Sequence, residues 1–286
     1  MRVRLAATIL VAIVATAHPL LQTPATPETS AQPERATTSP PVSEIMRRAV
    51  ARASAQDESE AELQFESLVA TTVESLNDKA EVTGTETTLH RRYAAAGAVY
   101  EELIERDGEP LDESDTRNEA KRRADFRRKV QEAAAAGRIL ETNDERQVRF
   151  DEDLMARYEA EVVGEEPVRG ERCWVISFTP RDGKLPRNTR IDRALNQSSG
   201  ELYVSQNDYG IMQINFRLLR PVRYIWGLVA SLSLATGQLE FERVKPDIWL
   251  PNTYDMRIDL RVFFITQRQH IERRWVERRR VAGDAG

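Results

Sequence analysis

The sequence predicts an α+β fold that is mainly antiparallel β. Two segments of its second half alternate strictly with period two. In the first, Met212, Ile214, Phe216 and Leu218 stand against Gln213, Asn215 and Arg217. In the second, Tyr254, Met256, Ile258, Leu260 and Val262 stand against Asp255, Arg257, Asp259 and Arg261. Short turns, not long crossovers, separate such segments, and five or more in succession make an antiparallel meander. A sheet with one dry face must cover it, and helices at 113–136 and 144–158 are the covers the sequence offers.

The order of elements begins with an export signal. Arg2 and Arg4 precede an uncharged apolar run, Leu5 to Ala17, that ends in Ala15-Thr16-Ala17. This is the layout of a cleavable signal peptide over 1–17. The run is well short of the roughly 20 residues a spanning helix needs. No cysteine follows it as a lipidation site. The expected mature chain is periplasmic and does not span a membrane after cleavage. Residues 18–43, with Pro19, Pro24, Pro27, Pro33, Pro40 and Pro41, have the composition of a disordered linker. A single domain over 44–281 follows, with a charged helical insertion at about 112–158.

Within that domain, 44–56 reads as a helix with Ile45, Met46 and Val50 on one side. Three strands follow, Phe65 to Leu76, Val82 to Tyr93 and Val99 to Arg106, the last closed by Asp107-Gly108. Asp112 is the expected N-cap of the charged helix, which touches the body along a thin stripe of Phe126 and Val130. Phe150, Leu154, Met155 and Tyr158 share a face at helical spacing. The second β block has strands Ala160 to Gly164 and Cys173 to Pro180 around a turn at Glu165-Glu166-Pro167. It continues with Gly200 to Ser205, Ile211 to Leu219, the apolar Tyr224 to Ala235, a turn at Gly237, Gln238 to Val244, the strand opened by Trp249-Leu250-Pro251, and Ile265 to Val276.

Composition excludes several functions. The lone Cys173 rules out an internal disulfide and reads as a small buried hydrophobe. The net charge of -5 argues against nucleic-acid binding. The terminal group Arg273, Arg274, Arg278, Arg279 and Arg280 is interrupted by Glu272 and Glu277 and reads as a frayed, solvated end. With only His18, His90 and His270, far apart, no zinc-ligand spacing exists. No phosphate-cradling glycine loop and no nucleophile elbow occur. The chain is expected not to be an enzyme and to need no cofactor or metal. The remaining chemical feature is apolar surface. The expected cavity lining is Met212, Ile214, Phe216, Leu218, Trp226, Leu228, Leu232, Tyr254, Met256, Ile258 and Leu260, with methionine and aliphatic chains suited to a flexible hydrocarbon.

The second β block also resembles a known family. Val162 to Pro180, read VVGEEPVRGERCWVISFTP, is similar to a strand pair of proteins related to outer-membrane lipoprotein-sorting proteins. Ser199 to Tyr209, read SGELYVSQNDY, is similar to their next hairpin. Glu242-Arg243-Val244, Trp249-Leu250-Pro251 and the alternating strand from Tyr254 continue the pattern, and Arg106 to Leu111 before a charged helix matches their N-terminal half. The likeness spans about residues 60–275. It implies the open, incomplete β-barrel of LolA/LolB-like carriers and RseB-like sensors, a curved sheet closed by helices around an apolar cavity. It implies binding of acyl chains or reporting on the envelope. The helix at 113–136 is extra, and no position here matches the carriers' functional arginine, so the resemblance assigns no ligand contact.

Three readings follow. The first is a periplasmic carrier for a lipid or lipoprotein acyl chain. The second is an envelope sensor or scaffold with a closed core, acting through contacts with another envelope protein. The third is a hydrolase using His90 or His270. One outcome is testable from the sequence alone: N-terminal sequencing of the exported protein should find a chain that starts near residue 18, and an intact Met1 in the membrane fraction would refute the signal reading.

Overall fold

The computed structural model describes residues 39–58, 61–136, 150–189, 191–224 and 230–281. The expected signal segment, most of the linker, the stretch 137–149, and Trp226 and Leu228 lie outside the described residues. Among the described residues no helix is long and apolar enough to cross a membrane.

The described residues form one large antiparallel sheet that is not closed, with four α-helices. Helix α1 (Val42–Glu58) comes first, then a 3-10 turn (Ala61–Gln64). Strands β1 (Phe65–Leu76), β2 (Val82–Ala95), β3 (Ala98–Arg106) and the short β4 (Glu109–Pro110) form the first block. Helices α2 (Glu113–Ala135) and α3 (Glu152–Met155) follow. The second block runs β5 (Tyr158–Val168), β6 (Glu171–Pro180), α4 (Asp192–Leu195), β7 (Ser198–Ser205), β8 (Ile211–Leu218), β9 (Val222–Tyr224), β10 (Ala230–Lys245), β11 (Ile248–Val262) and β12 (Ile265–Arg280). The order across the sheet is β4-β3-β2-β1-β12-β11-β10-β8-β7-β6-β5, with β9 also on β10. Each block is a meander, and β12 joins them by pairing with β1.

Residues directly opposite in an antiparallel ladder share a face, so the register sorts side chains. One row reads Ile176, Leu202, Ile214, Leu239, Tyr254, Arg273, Thr71 from β6 to β1. The next reads Phe178, Gly200, Phe216, Gly237, Met256, Ile271, Val73. These rows define an inner face whose deepest members, Met256, Ile271 and Ile176, are fully or almost fully buried. The outer face of β1, β12 and β11 is charged: His270 lies 2.9 Å from Glu74 and 3.0 Å from Asp255.

Helix α1 covers the β6–β7 end of the inner face. Ile45, Met46 and Ala49 pack on Trp174, Ile176, Leu202 and Val204. Phe150 and Met155, from the expected 144–158 cover, pack on the same cluster, but the expected cover at 113–136 is corrected. Helix α2 sits on the opposite face, against β3. Tyr100 packs on Phe126 at 4.7 Å and donates to Glu119 at 2.6 Å, while Arg123 reaches Glu102, the outer-face partner of Arg91. Asp112 caps α2 by accepting from the Asp115 amide, as expected. The expected helix at 144–158 is, where described, the single turn α3, and Tyr158 already opens β5.

Three further expectations give way. Glu165-Glu166-Pro167 is not a turn: β5 runs on to Val168, and the hairpin closes at Arg169-Gly170, both at positive φ. Pro167 is tolerated because β5 is an edge strand. Gly237 is likewise no turn but the middle of β10, where a Cβ would lie 2.3 Å from the Asp255 carbonyl oxygen. Finally, the terminal arginines are not frayed. They belong to β12, held between β1 and β11.

The two inner-face glycines flank Phe216 in their row. A Cβ at Gly200 would meet the Asn215 oxygen at 2.0 Å and Phe216 Cα at 2.6 Å, whereas one at Gly84 meets nothing within 4 Å. Gly200→Ala should therefore cost about 3 kcal/mol in urea denaturation, and Gly84→Ala should stay within about 0.5 kcal/mol of the parent. Equal stability of the two variants would contradict this register.

Candidate functional site

The inner face is built from strands whose sequence phase decides which side chains enter it. On β8, Ile214, Phe216 and Leu218 face inward, as their alternation predicts. Met212 does not. A β-bulge between Tyr203 and Val204 shifts the register of β8, so Met212 packs on the outer face with Cys173, Val175, Tyr203 and Trp249. The Cys173 and Met212 sulfurs are 3.2 Å apart. Between Tyr254 and Leu260 β11 carries no extra residue, and Tyr254, Met256, Ile258 and Leu260 share the inner face. A bulge at Ser233 in β10 brings Leu232 inward beside them.

Of the predicted lining, the described residues other than Met212 share the inner face, Trp226 and Leu228 lie outside the described residues, and the parts differ in depth. Leu232, Phe216, Tyr254, Met256 and Ile258 are packed interior, between 0% and 6% exposed. Ile214, Leu218, Leu260 and the neighbouring Tyr224 are half-buried. Two clefts of about 560 and 530 Å³ lie elsewhere. The first is between α1 and α3, and the second surrounds Glu66–Leu68 and Glu277–Arg279.

Apolar rows continue towards one end of the sheet. Val222, Leu232, Leu260 and Gln267 stand in one row, and Tyr224, Ala230, Val262 and Ile265 in the next. The Tyr224 hydroxyl is buried there with no hydrogen-bond partner among the described residues. Burial pushes its pKa up. Near this end the loop before α4 is held by a buried ion pair, Arg157 to Asp192 at 2.9 Å. Arg157 also donates to the Asn196 side chain at 3.0 Å, and Tyr158 to the Leu195 carbonyl at 2.8 Å. A pair this buried fixes geometry more than it adds stability.

On the β12–β1–β2 side the inner face turns polar. Arg273 donates to Glu101 at 2.5 Å, Arg92 lies 3.2 Å from the same carboxylate, and Arg92 also pairs with Glu62. Burial pushes the Glu101 carboxyl up, but the Arg273 and Arg92 guanidiniums outweigh it and hold it below its ordinary range. Burial also lowers His90 to about 4, with Arg273 further disfavouring its proton and Glu101 opposing. Arg278 is one-tenth exposed and lowered by burial. The Nε atoms of Arg273 and Arg278 and the Trp275 indole nitrogen are buried without partners among the described residues. Of these groups sequence reasoning placed only His90 at a site, in the hydrolase reading. The signal was available: Ile271, Arg273 and Trp275 carry the inward phase of β12.

The two histidines titrate in opposite senses. His90 is depressed in the fold, so the unfolded chain takes the proton first. Its contribution is whole above the ordinary value of 6.5 and is lost as pH falls towards about 4. Burial pulls His270 down, but hydrogen bonds to Glu74 and Asp255 outweigh it and raise it. Its contribution is present below the unfolded value and is lost as pH rises through the folded one. His90→Gln should therefore remove up to about 3 kcal/mol of acid destabilisation, and His270→Gln should steepen the acid loss. Urea melts across this range check both, and identical pH slopes in parent and variants would contradict them.

No family model matches the chain. No curated protein matches it. Among solved structures it is similar to a DUF1329 family protein from Desulfovibrio piger, 13% identical over 86% of this chain and 95% of that one, with a TM-score of 0.32. It is similar to a putative outer membrane lipoprotein-sorting protein domain from Vibrio parahaemolyticus, 12% identical over 83% and 94%, with a TM-score of 0.30. A third likeness is to the MucA/MucB complex of Pseudomonas aeruginosa, 13% identical over 84% and 99%, with a TM-score of 0.24.

Proposed function

We propose that the protein is a periplasmic binding protein for an apolar chain, a lipid or the acyl chain of a lipoprotein, taken up at the open end of the inner face. The observation that carries this is continuity. One apolar surface runs from the fully buried Met256 and Leu232 to the half-buried Leu218, Tyr224 and Leu260, in a sheet that does not close. Burial of an alkyl chain there gains about 25 cal/mol per Å² of apolar area. The Tyr224 hydroxyl, buried at this rim without a partner among the described residues, offers a hydrogen bond to the polar end of an amphiphile. The export signal read at the N-terminus supports the compartment.

This reading assigns different roles to depth and rim. Leu232 is 1% exposed, so Leu232→Trp should overpack and lose about 1–3 kcal/mol in thermal melts. Leu260→Trp, at the rim, should keep the parent's melting temperature and lose binding of a fluorescent fatty acid. Absence of fatty-acid binding by the parent protein would reject the carrier reading and leave the scaffold with a closed core.

A further inference from the structure

The β11–β12 hairpin ends in a turn that its sequence should not favour. Val262 pairs with Ile265, leaving Phe263 and Phe264 as the two turn residues. Phe263 has φ +53°, and Phe264 is not at positive φ. That is the pattern of a type II′ turn, whose first position belongs to glycine. A bulky aromatic side chain there is strained. Exposure compounds the cost: Phe263 is 58% exposed, Phe264 92% and Ile265 66%. Three consecutive large apolar residues at a tip, against both turn chemistry and solvation, mark a contact surface.

The surroundings identify the occupant. Arg223, Ser231 and Arg261 stand in one outer-face row beside the tip. Among the described residues neither arginine is in an ion pair, and Arg261 donates to the Phe263 carbonyl at 3.0 Å. Arg193 adds a third guanidinium, donating to the Arg223 carbonyl at 3.1 Å. The nearby acids Asp78 and Asp259 share Arg268, and the one carboxylate charge this leaves over is outnumbered by the guanidiniums of Arg223, Arg261 and Arg193. An apolar tip collared by unmatched cations complements an apolar layer beneath a layer of anions. We propose that the Phe263-Phe264-Ile265 tip inserts into an anionic lipid surface, with Arg223 and Arg261 against the lipid phosphates. The tip also continues the inner-face row of Tyr224, Ala230, Val262 and Ile265, so insertion would set the rim of the apolar face at the lipid surface. The inference does not depend on the ligand reading.

The test compares the full chain with Phe263→Gly/Phe264→Asn by flotation on phosphatidylcholine–phosphatidylglycerol vesicles and on phosphatidylcholine alone. The pair Gly-Asn is favoured turn chemistry, so the variant should melt no lower than the parent and lost binding is not lost folding. Binding to the anionic vesicles should fall about tenfold or more. Arg223→Gln and Arg261→Gln should each weaken it about fivefold on anionic vesicles only. Because the chains are otherwise identical, any binding through the apolar N-terminal run cancels. The tip variant should keep fluorescent fatty-acid binding in solution, which separates failure here from failure of the ligand reading. Unchanged vesicle binding by the tip variant would overturn the proposal. So would a dimer broken by the same variant in a parent that ignores vesicles, which would assign the tip to a second copy.

Discussion

The pairing of β1 with β12 is the constraint on which the rest depends. It runs from Phe65 opposite Arg280 to Leu76 opposite Arg268, and it is the contact that makes one sheet of two meanders. Neither strand pairs the other by hydrophobicity alone. β12 carries six arginines, Arg268, Arg273, Arg274, Arg278, Arg279 and Arg280, and such a strand needs acids on every side. They come from far along the chain: Glu66 for Arg279, Glu101 for Arg273, Glu242 for Arg278, Asp78 and Asp259 for Arg268. Exposed pairs of this kind contribute little singly, about 0–1 kcal/mol. Together they fix which strand lies beside which and in what register.

The same strand divides the inner face. From β6 to β11 the inward positions are apolar, and along β12, β1 and β2 they include Arg273, Thr71, Arg92 and His90. Charge is affordable there because each guanidinium meets a carboxylate, and His90 stays neutral over the range where unfolded histidine is charged. The apolar part is thus bounded on one side by buried ions and on another by α1. At the end of the sheet its described members, Tyr224 and Leu260, are half-buried.

The strands and both longer helices were legible because amphipathic period and turn residues are local signals. Alternation at Tyr254 to Leu260 placed those side chains correctly on β11. It failed at Met212, since a bulge is decided by the partner strand and leaves no mark in the period of its own. Pro167 and Gly237 were misread for a related reason. Each has a use inside a sheet, an edge position for the proline and a close backbone approach for the glycine, which depends on neighbours far along the chain. Arg273, Arg278 and Arg279 looked solvated because their acids, Glu101, Glu242 and Glu66, are not adjacent in sequence. Which helix covers which face was illegible, as α1 and α2 are both amphipathic and nothing local says where they dock.

Several of the positions that break local rules gather in two places. A buried donor without an acceptor costs about 1–3 kcal/mol, and of those without one among the described residues three, Arg273 Nε, Trp275 Nε1 and Arg278 Nε, lie along one strand. Tyr224 Oη, the positive φ of Phe263 and the exposure of Phe264 gather at one end of the sheet. Fold stability alone would select against each of them: a phenylalanine for Tyr224 or a glycine for Phe263 costs the core nothing. Core residues such as Met256 and Ile271 obey every packing rule, so the departures are not a general looseness of the structure. Those at Tyr224, Phe263 and Phe264 sit at the end of the sheet where the apolar face meets its boundary, and no packing among the described residues offsets their cost.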